Sequence, residues 1–189
     1  MGRFEDHLEA HVAVAGAVRD ELAAPFARML ETWVSTVRGG GKILLFGNGG
    51  SAADAQHIAT ELVVRFSSDR DPVAAIALTT DTSALTAIGN DLGFEELFAR
   101  QIDALGRPGD LAVAISTSGN SPNILKGLRA ARAGDMTAAA LGGRGGGALV
   151  GLAEPLIVVP SDSTAHIQEM HITLGHMLCD GLERELGLV

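Results

Sequence analysis

The sequence predicts an α/β protein with a five-stranded parallel sheet covered by helices on both faces and a helical pair at the N-terminus. Three observations predict it. Short, strongly apolar runs of strand length recur along the chain, separated mostly by stretches of helical pattern, the signature of right-handed βαβ crossovers. Polar, glycine-rich turns follow the runs at their carboxyl ends, where parallel sheets bind ligands. Two helical segments precede the first run, and their apolar faces require a partner.

Arg3 to Leu22 carries Phe4, Leu8 and Val12 on one side of a helix. Pro25 opens a second helix through Trp33 and Val37, which Gly39-Gly40-Gly41 stops. The apolar residues Val12, Val14, Leu22, Phe26, Leu30 and Trp33 pack either on the chain's own sheet or on another subunit. Ile43 to Phe46 is the first strand, apolar enough to be buried on both faces. After the turn Gly47-Asn48-Gly49-Gly50 a helix starts at Ser51. The charged turn Ser68 to Pro72 leads to a buried strand over Val73 to Leu78, then a short helix ending near Gly89-Asn90-Asp91. Phe94 to Leu105 reads as one amphipathic helix, Asp110 to Ile115 as the third strand, and Pro122 to Ala133 as a helix. Met136 to Leu141 and Pro155 to Val159 are the last strands, with a glycine-rich run around Arg144 between them, and Thr164 to Leu186 is a long final helix. The whole chain, 1–189, reads as one domain, with 1–40 serving packing and oligomerisation.

Composition narrows the function. The 189 residues are 47% apolar and 20% charged, a globular balance. A net charge of −9 argues against a nucleic-acid binder, which needs a basic face, but leaves room for a small anion held by amides and hydroxyls. With no tyrosine and one tryptophan, Trp33, a stacking platform for bases or sugars is not expected. The single Cys179 excludes an intrachain disulfide and suits a reducing cytoplasm. No apolar run approaches the ~18–20 residues of a membrane span and no leader pattern opens the chain, so a soluble cytoplasmic protein is expected.

Two strand–turn–helix units carry the polar groups. In the first, Asn48, Gly49, Gly50 and Ser51 bring backbone N–H groups and short polar side chains to a helix N-terminus, a site for an anion or a polar ligand, or an ordinary tight connection. On the following helix His57 and Glu61 are four apart on one face, which suits a metal, an acid/base pair or a plain exposed pair. Arg65, a turn further, pairs with Glu61, with a phosphate, or in a solvated ion pair. In the second unit Ser116, Thr117, Ser118 and Ser121 gather hydroxyls around a Gly-Asn pair before a helix. A helix cap needs only one such residue, so the excess points to a phosphate cradle. Asn90 and Asp91 offer an amide and a carboxylate that fit a sugar hydroxyl or a helix stop. Gln168 and His176 on the last helix are ~80° around and ~12 Å along the axis from each other, so they converge only if both side chains extend toward the space between them. Neither a G-x-x-x-x-G-K-[ST] loop nor a G-x-G-x-x-G fingerprint is present.

Taken in order, GNGGSAADAQHIATEL, AIGND, GDLAVAISTSGNS and IQEMHITLGH resemble the sugar isomerase (SIS) domain family along essentially the whole chain. The resemblance implies a flavodoxin-like three-layer sandwich. The branch most similar converts sedoheptulose 7-phosphate to D-glycero-D-manno-heptose 7-phosphate through an enediol, the first step toward nucleotide-activated heptose. The resemblance assigns Glu61 as base and His176 as its partner acid. It assigns substrate contacts to Asn48, Gly49, Gly50, Ser51, Glu61, Arg65, Asn90, Asp91, Ser116, Thr117, Ser118, Ser121 and Gln168. It also implies one zinc ion per subunit on His57, Glu61, Gln168 and His176, and a homotetramer with sites between subunits. Some members carry Asp-Arg where this chain has Ala165-His166, so one substrate contact is not expected here. The same fold includes a regulator that binds the replication initiator, and a sugar-phosphate sensor is a third reading. The intact Glu61, His176 and Ser116-Thr117-Ser118 favour the enzyme.

Overall fold

The computed structural model describes residues 2–189. Helices α1 (Gly2–Glu21) and α2 (Ala23–Arg38) come first. The chain then runs β1 (Ile43–Gly47), α3 (Gly50–Val63), β2 (Ala75–Ala77), α4 (Thr82–Asp91), α5 (Ala99–Leu105), β3 (Leu111–Ser116), α6 (Pro122–Ala133), β4 (Thr137–Gly143), β5 (Leu156–Val159) and α7 (Thr164–Glu185). The five strands form one parallel sheet in the order β2-β1-β3-β4-β5. From β1 the chain departs to β2 on one side and to β3 on the other. The strand order therefore reverses between β1 and β3, and their carboxyl ends open the crevice where such sheets place ligands.

Alternation along the central strands divides the core into two layers. Ile43, Leu45, Val113 and Ile115 face α2, α3 and α7 through Trp33, Ile58, Leu62, Leu174 and Leu178. Leu44, Phe46, Ala112 and Ala114 face the opposite layer through Phe98, Ile102, Ile124 and Leu128. All eleven positions of β1 and β3 are buried, which is why these segments are apolar on both faces. The N-terminal helices differ in burial. Helix α2 buries Met29, Trp33 and Val34, whereas α1 buries no residue.

Two extents differ from the sequence reading. The second strand is three residues long instead of spanning Val73 to Leu78, and Ile76 is 37% exposed, because β2 is an edge strand paired to β1 alone. The helix read over Phe94 to Leu105 is a 3₁₀ turn at Phe94–Glu96 followed by α5. That break leaves Phe94 exposed while Leu97 and Phe98 enter the core. Asn90 and Asp91 form the last turn of α4, where the sequence reading ended that helix. Among the described residues no helix is long and apolar enough to cross a membrane.

Candidate active site

The turn after β1 depends on glycine for close approach. A Cβ on Gly47 would stand 2.6 Å from the Ser51 carbonyl oxygen, and one on Gly50 would stand 2.2 Å from Gln168 Nε2. These contacts start α3 tightly at the strand end and draw the first part of α7 against it. From that start Asp54, His57 and Glu61 follow at i, i+3 and i+7 along one stripe of α3. Further along, a Cβ on Gly175 would stand 2.6 Å from Ile58 Cδ1, so α7 again approaches without a side chain between. The result brings His57 Nε2 to 2.9 Å from His176 Nε2 and 3.2 Å from Glu61 Oε1. Phe66 packs its ring 5.5 Å from that of His176.

Donor atoms of His57, Glu61 and His176 all lie within 4.8 Å of one another. Two imidazoles and a carboxylate at that separation can hold a divalent metal ion. Gln168 lies at the other end of the stripe, against Gly50 and near Asp54. Burial pushes the Asp54 carboxyl above the usual carboxylate range, opposed by Gln168 and by His57. Asp54 Oδ2 is buried and has no hydrogen-bond partner.

The turn after β3 is built from hydroxyls. Ser116 Oγ accepts from Gly119 N at 3.2 Å, and Ser118 Oγ accepts from Asn120 N at 3.3 Å. Both hydroxyls keep their own O–H to donate. Ser121 occupies the N-cap of α6 yet makes no side-chain capping bond, so it does not act there merely as a cap. Gly119 has φ 66°, and a Cβ on it would stand 2.1 Å from the Gly146 carbonyl oxygen. That contact and the bond from Ala148 N to Asn120 Oδ1, 3.1 Å, fix the turn against the glycine-rich run after β4.

The two turns are tied to each other. Asn48 Nδ2 donates to Asn123 Oδ1 at 2.9 Å, and Asn123 Nδ2 donates to Asn48 Oδ1 at 2.8 Å. Asn48 is thus a bridge between the units at the switch point. The sequence reading missed Asn123, which is 2% exposed. A polar residue directly after Ser121-Pro122, where the helix begins to face the core, was the signal available.

The remaining expected residues make contacts of their own. Arg65 pairs with Asp69 at i, i+4, not with Glu61, and both side chains are exposed. Asn90 Nδ2 donates to Asp91 Oδ1 at 2.7 Å on the exposed end of α4. The charged turn conceals a second missed element. Arg70 and Glu183 form a fully buried ion pair, Nε to Oε1 at 2.7 Å. Arg70 also donates to the backbone carbonyls of Glu61 and Leu62, both at 2.7 Å, and Glu183 Oε1 accepts from Phe66 N at 3.0 Å. Glu61 is therefore held through its own main chain. Separated by 113 residues, this pair leaves no spacing signal in the sequence.

Comparisons with known proteins identify the family. The SIS domain family model matches residues 6–143. A phosphoheptose isomerase of Paramagnetospirillum magneticum is 56% identical over 96% of this chain and 92% of its own length. One from Roseiflexus is 51% identical over the same shares. Among solved structures, phosphoheptose isomerase of Neisseria gonorrhoeae superimposes with a TM-score of 0.91 at 44% identity, covering 97% of this chain and 98% of that one. That of Francisella tularensis gives 0.93 at 37% identity, covering 97% of each. By family model, sequence and superposition together, the chain belongs to the SIS domain family and, within it, to the phosphoheptose isomerases.

Proposed function

We propose that the chain is an aldose–ketose isomerase that converts sedoheptulose 7-phosphate to D-glycero-D-manno-heptose 7-phosphate. The observation that carries this reading is the meeting of Glu61, His57 and His176 on α3 and α7, helices leading from and packed against the first glycine turn. The relatives' names and full-length similarity support it.

The phosphate binds at the second turn, where Ser116, Thr117, Ser118 and Ser121 supply hydroxyls at the N-terminus of α6. Its binding energy places the far end of the sugar at the first turn, where Asn48, Gly49, Gly50 and Ser51 contact it. Glu61 removes a proton from C1 of the ketose, giving an enediol, and returns it to C2. His176 moves the hydroxyl proton from O1 to O2, so C1 becomes the aldehyde and C2 the new alcohol without net loss of atoms. Asn90, Asp91 and Arg65 complete the substrate contacts. A zinc ion on His57, Glu61 and His176, with Gln168 as a further donor, would supply Lewis-acid polarisation of the sugar oxygens when bound. The donor chemistry of the three clustered residues supports that choice of metal.

A homotetramer in a cytoplasmic setting completes the reading. Helix α1 has no fully buried residue and leaves Phe4, Leu8 and Val12 at 69%, 47% and 66% exposure, surface that a neighbouring subunit covers. Incubation with sedoheptulose 7-phosphate, followed by NMR of the sugar phosphate, tests the activity. Wild type is expected to form the aldose, and Glu61→Gln to be slower by ~10³-fold. Absence of product from wild type, or full activity of Glu61→Gln, overturns the assignment and leaves a sensor or regulator.

A further inference from the structure

Four of the six histidines take no part in the chemistry above, and three of these, His7, His11 and His166, converge on one carboxylate. His7 and His11 stand at i, i+4 on α1, and His166 and Glu169 stand at i, i+3 on the first turns of α7. His7 Nε2 is 3.2 Å from Glu169 Oε1, and His11 Nδ1 is 2.7 Å from Glu169 Oε2. The rings of His7 and His166 lie 4.7 Å apart by their centroids. Donor atoms of His7, His166 and Glu169 all fall within 4.8 Å of one another.

An ion-pair staple between two helices explains part of this arrangement and leaves a remainder. One histidine satisfies each oxygen of Glu169, so a third adds nothing to such a staple. His166 Nε2 is nevertheless shielded from solvent and has no hydrogen-bond partner. An unpaired buried imidazole nitrogen costs stability unless something else occupies its lone pair or proton. A tetrahedral ion with bonds of ~2.0–2.1 Å separates its donors by ~3.3 Å, close to the His7–Glu169 spacing. Two neutral imidazoles and a carboxylate suit a late first-row divalent ion, zinc foremost. The His7 side chain is 53% exposed, which gives the ion a route in from solvent.

We propose that His7, His166 and Glu169 form a second divalent-metal site, with zinc as its ion and with His11 orienting the Glu169 carboxylate from the opposite oxygen. The site is separate from the His57–Glu61–His176 cluster, since His166 and His176 are ~15 Å apart along α7. It joins α1, which buries no residue of its own, to the helix that carries His176. Metal at this site would fix the direction in which α1 leaves the body.

The test uses the full chain carrying His57→Ala and His176→Ala, which removes the first cluster. Zinc is titrated against a chromophoric chelator, and cobalt(II) absorption reports coordination independently of activity. That chain is expected to bind one zinc and to give the visible bands of four-coordinate cobalt. Adding His7→Ala or His166→Ala is expected to weaken zinc at least ~100-fold, and adding His11→Ala ~10-fold. His7 is exposed enough that its replacement leaves folding intact, which circular dichroism verifies. No zinc on the starting variant, or affinity unmoved by both His7→Ala and His166→Ala, overturns the proposal. A wild-type stoichiometry equal to that of the starting variant would instead count against metal at the first cluster.

Discussion

The turn that follows β1 and the turn that follows β3 occupy equivalent places on neighbouring parallel strands, but they expose different chemistry. In the first, glycines let the backbone approach so closely that Gly47 and Gly50 admit no Cβ, and the groups proposed to act on the substrate come later, at His57 and Glu61 on the helix. In the second, the turn itself carries the hydroxyls, and its helix continues into the core through Ile124 and Leu128. One unit thus uses its turn to set a helix against α7, and the other, in the proposed reaction, offers its turn as the ligand surface. A strand–turn–helix unit fixes where a site lies, while the residues placed before or after the helix start decide what it does.

This division predicts separable kinetics. Glu61→Gln should lower kcat by ~10³-fold with little change in KM. Ser118→Ala, which removes one proposed phosphate donor, should raise KM ~10-fold while kcat stays within ~3-fold. Equal loss of kcat from both variants would break the distinction between a chemical half and a holding half.

Each half also has a buried polar anchor behind it, of a different kind. Behind the first is the Arg70–Glu183 pair, with side chains 1% and 0% exposed, holding the carbonyl of Glu61. Arg70→Ala leaves Glu183 charged and unpaired in the core, and urea denaturation should show a loss of ~3–5 kcal/mol. The double replacement Arg70→Met with Glu183→Leu should recover much of that loss, because it removes both charges together.

Behind the second is His171, whose Nε2 is 3.0 Å from the Gly142 carbonyl, the residue registered opposite Ser116 between β3 and β4. Burial pushes the His171 imidazole from 6.5 down to about 4, against the opposing hydrogen bond to Gly142. The unfolded chain therefore takes up a proton below pH ~6.5 that the native chain refuses until pH ~4. Its contribution is fully present above that window and is lost as pH falls through it, by about 3 kcal/mol in total. His171→Gln should flatten that part of the profile, read as the difference between the two proteins' denaturation midpoints from pH 7 to 4.

Legibility in the sequence followed the range over which each feature is encoded. Strands β1 and β3, helix α6 and the hydroxyl turn were readable because apolar runs, proline and clustered serines are local signals. The edge strand β2 was overestimated because Val73 to Leu78 is as apolar as a central strand, and only its neighbour in space limits it. His57 and Glu61 were legible through helical spacing. Their approach to His176 was not, because it depends on Gly175 meeting Ile58 across two helices. Arg65 was given a choice of partners by spacing alone, and Asp69 took it because it lies on the same exposed face. Arg70, Asn123 and Glu183 were missed for a common reason: each pairs with a residue distant in the chain, and no spacing links the two partners.

The smallest expected effect falls on the bond that joins the halves. Asn48 and Asn123 exchange two hydrogen bonds, and Asn123 Oδ1 also accepts from Ile124 N at 3.0 Å. Truncating either asparagine leaves the other amide partly unsatisfied beside the core, a cost of ~1–3 kcal/mol. Truncating both removes the polar groups together, so the double variant Asn48→Ala/Asn123→Ala should cost ~1–2 kcal/mol less than the sum of the single changes. The same cycle run on kcat/KM asks whether the link matters to the reaction. If it registers the sugar end against the phosphate end, each single variant should lower kcat/KM and the double variant little further. Strict additivity in both stability and kcat/KM would mean that the two turns work independently and that their separation is set by the sheet alone.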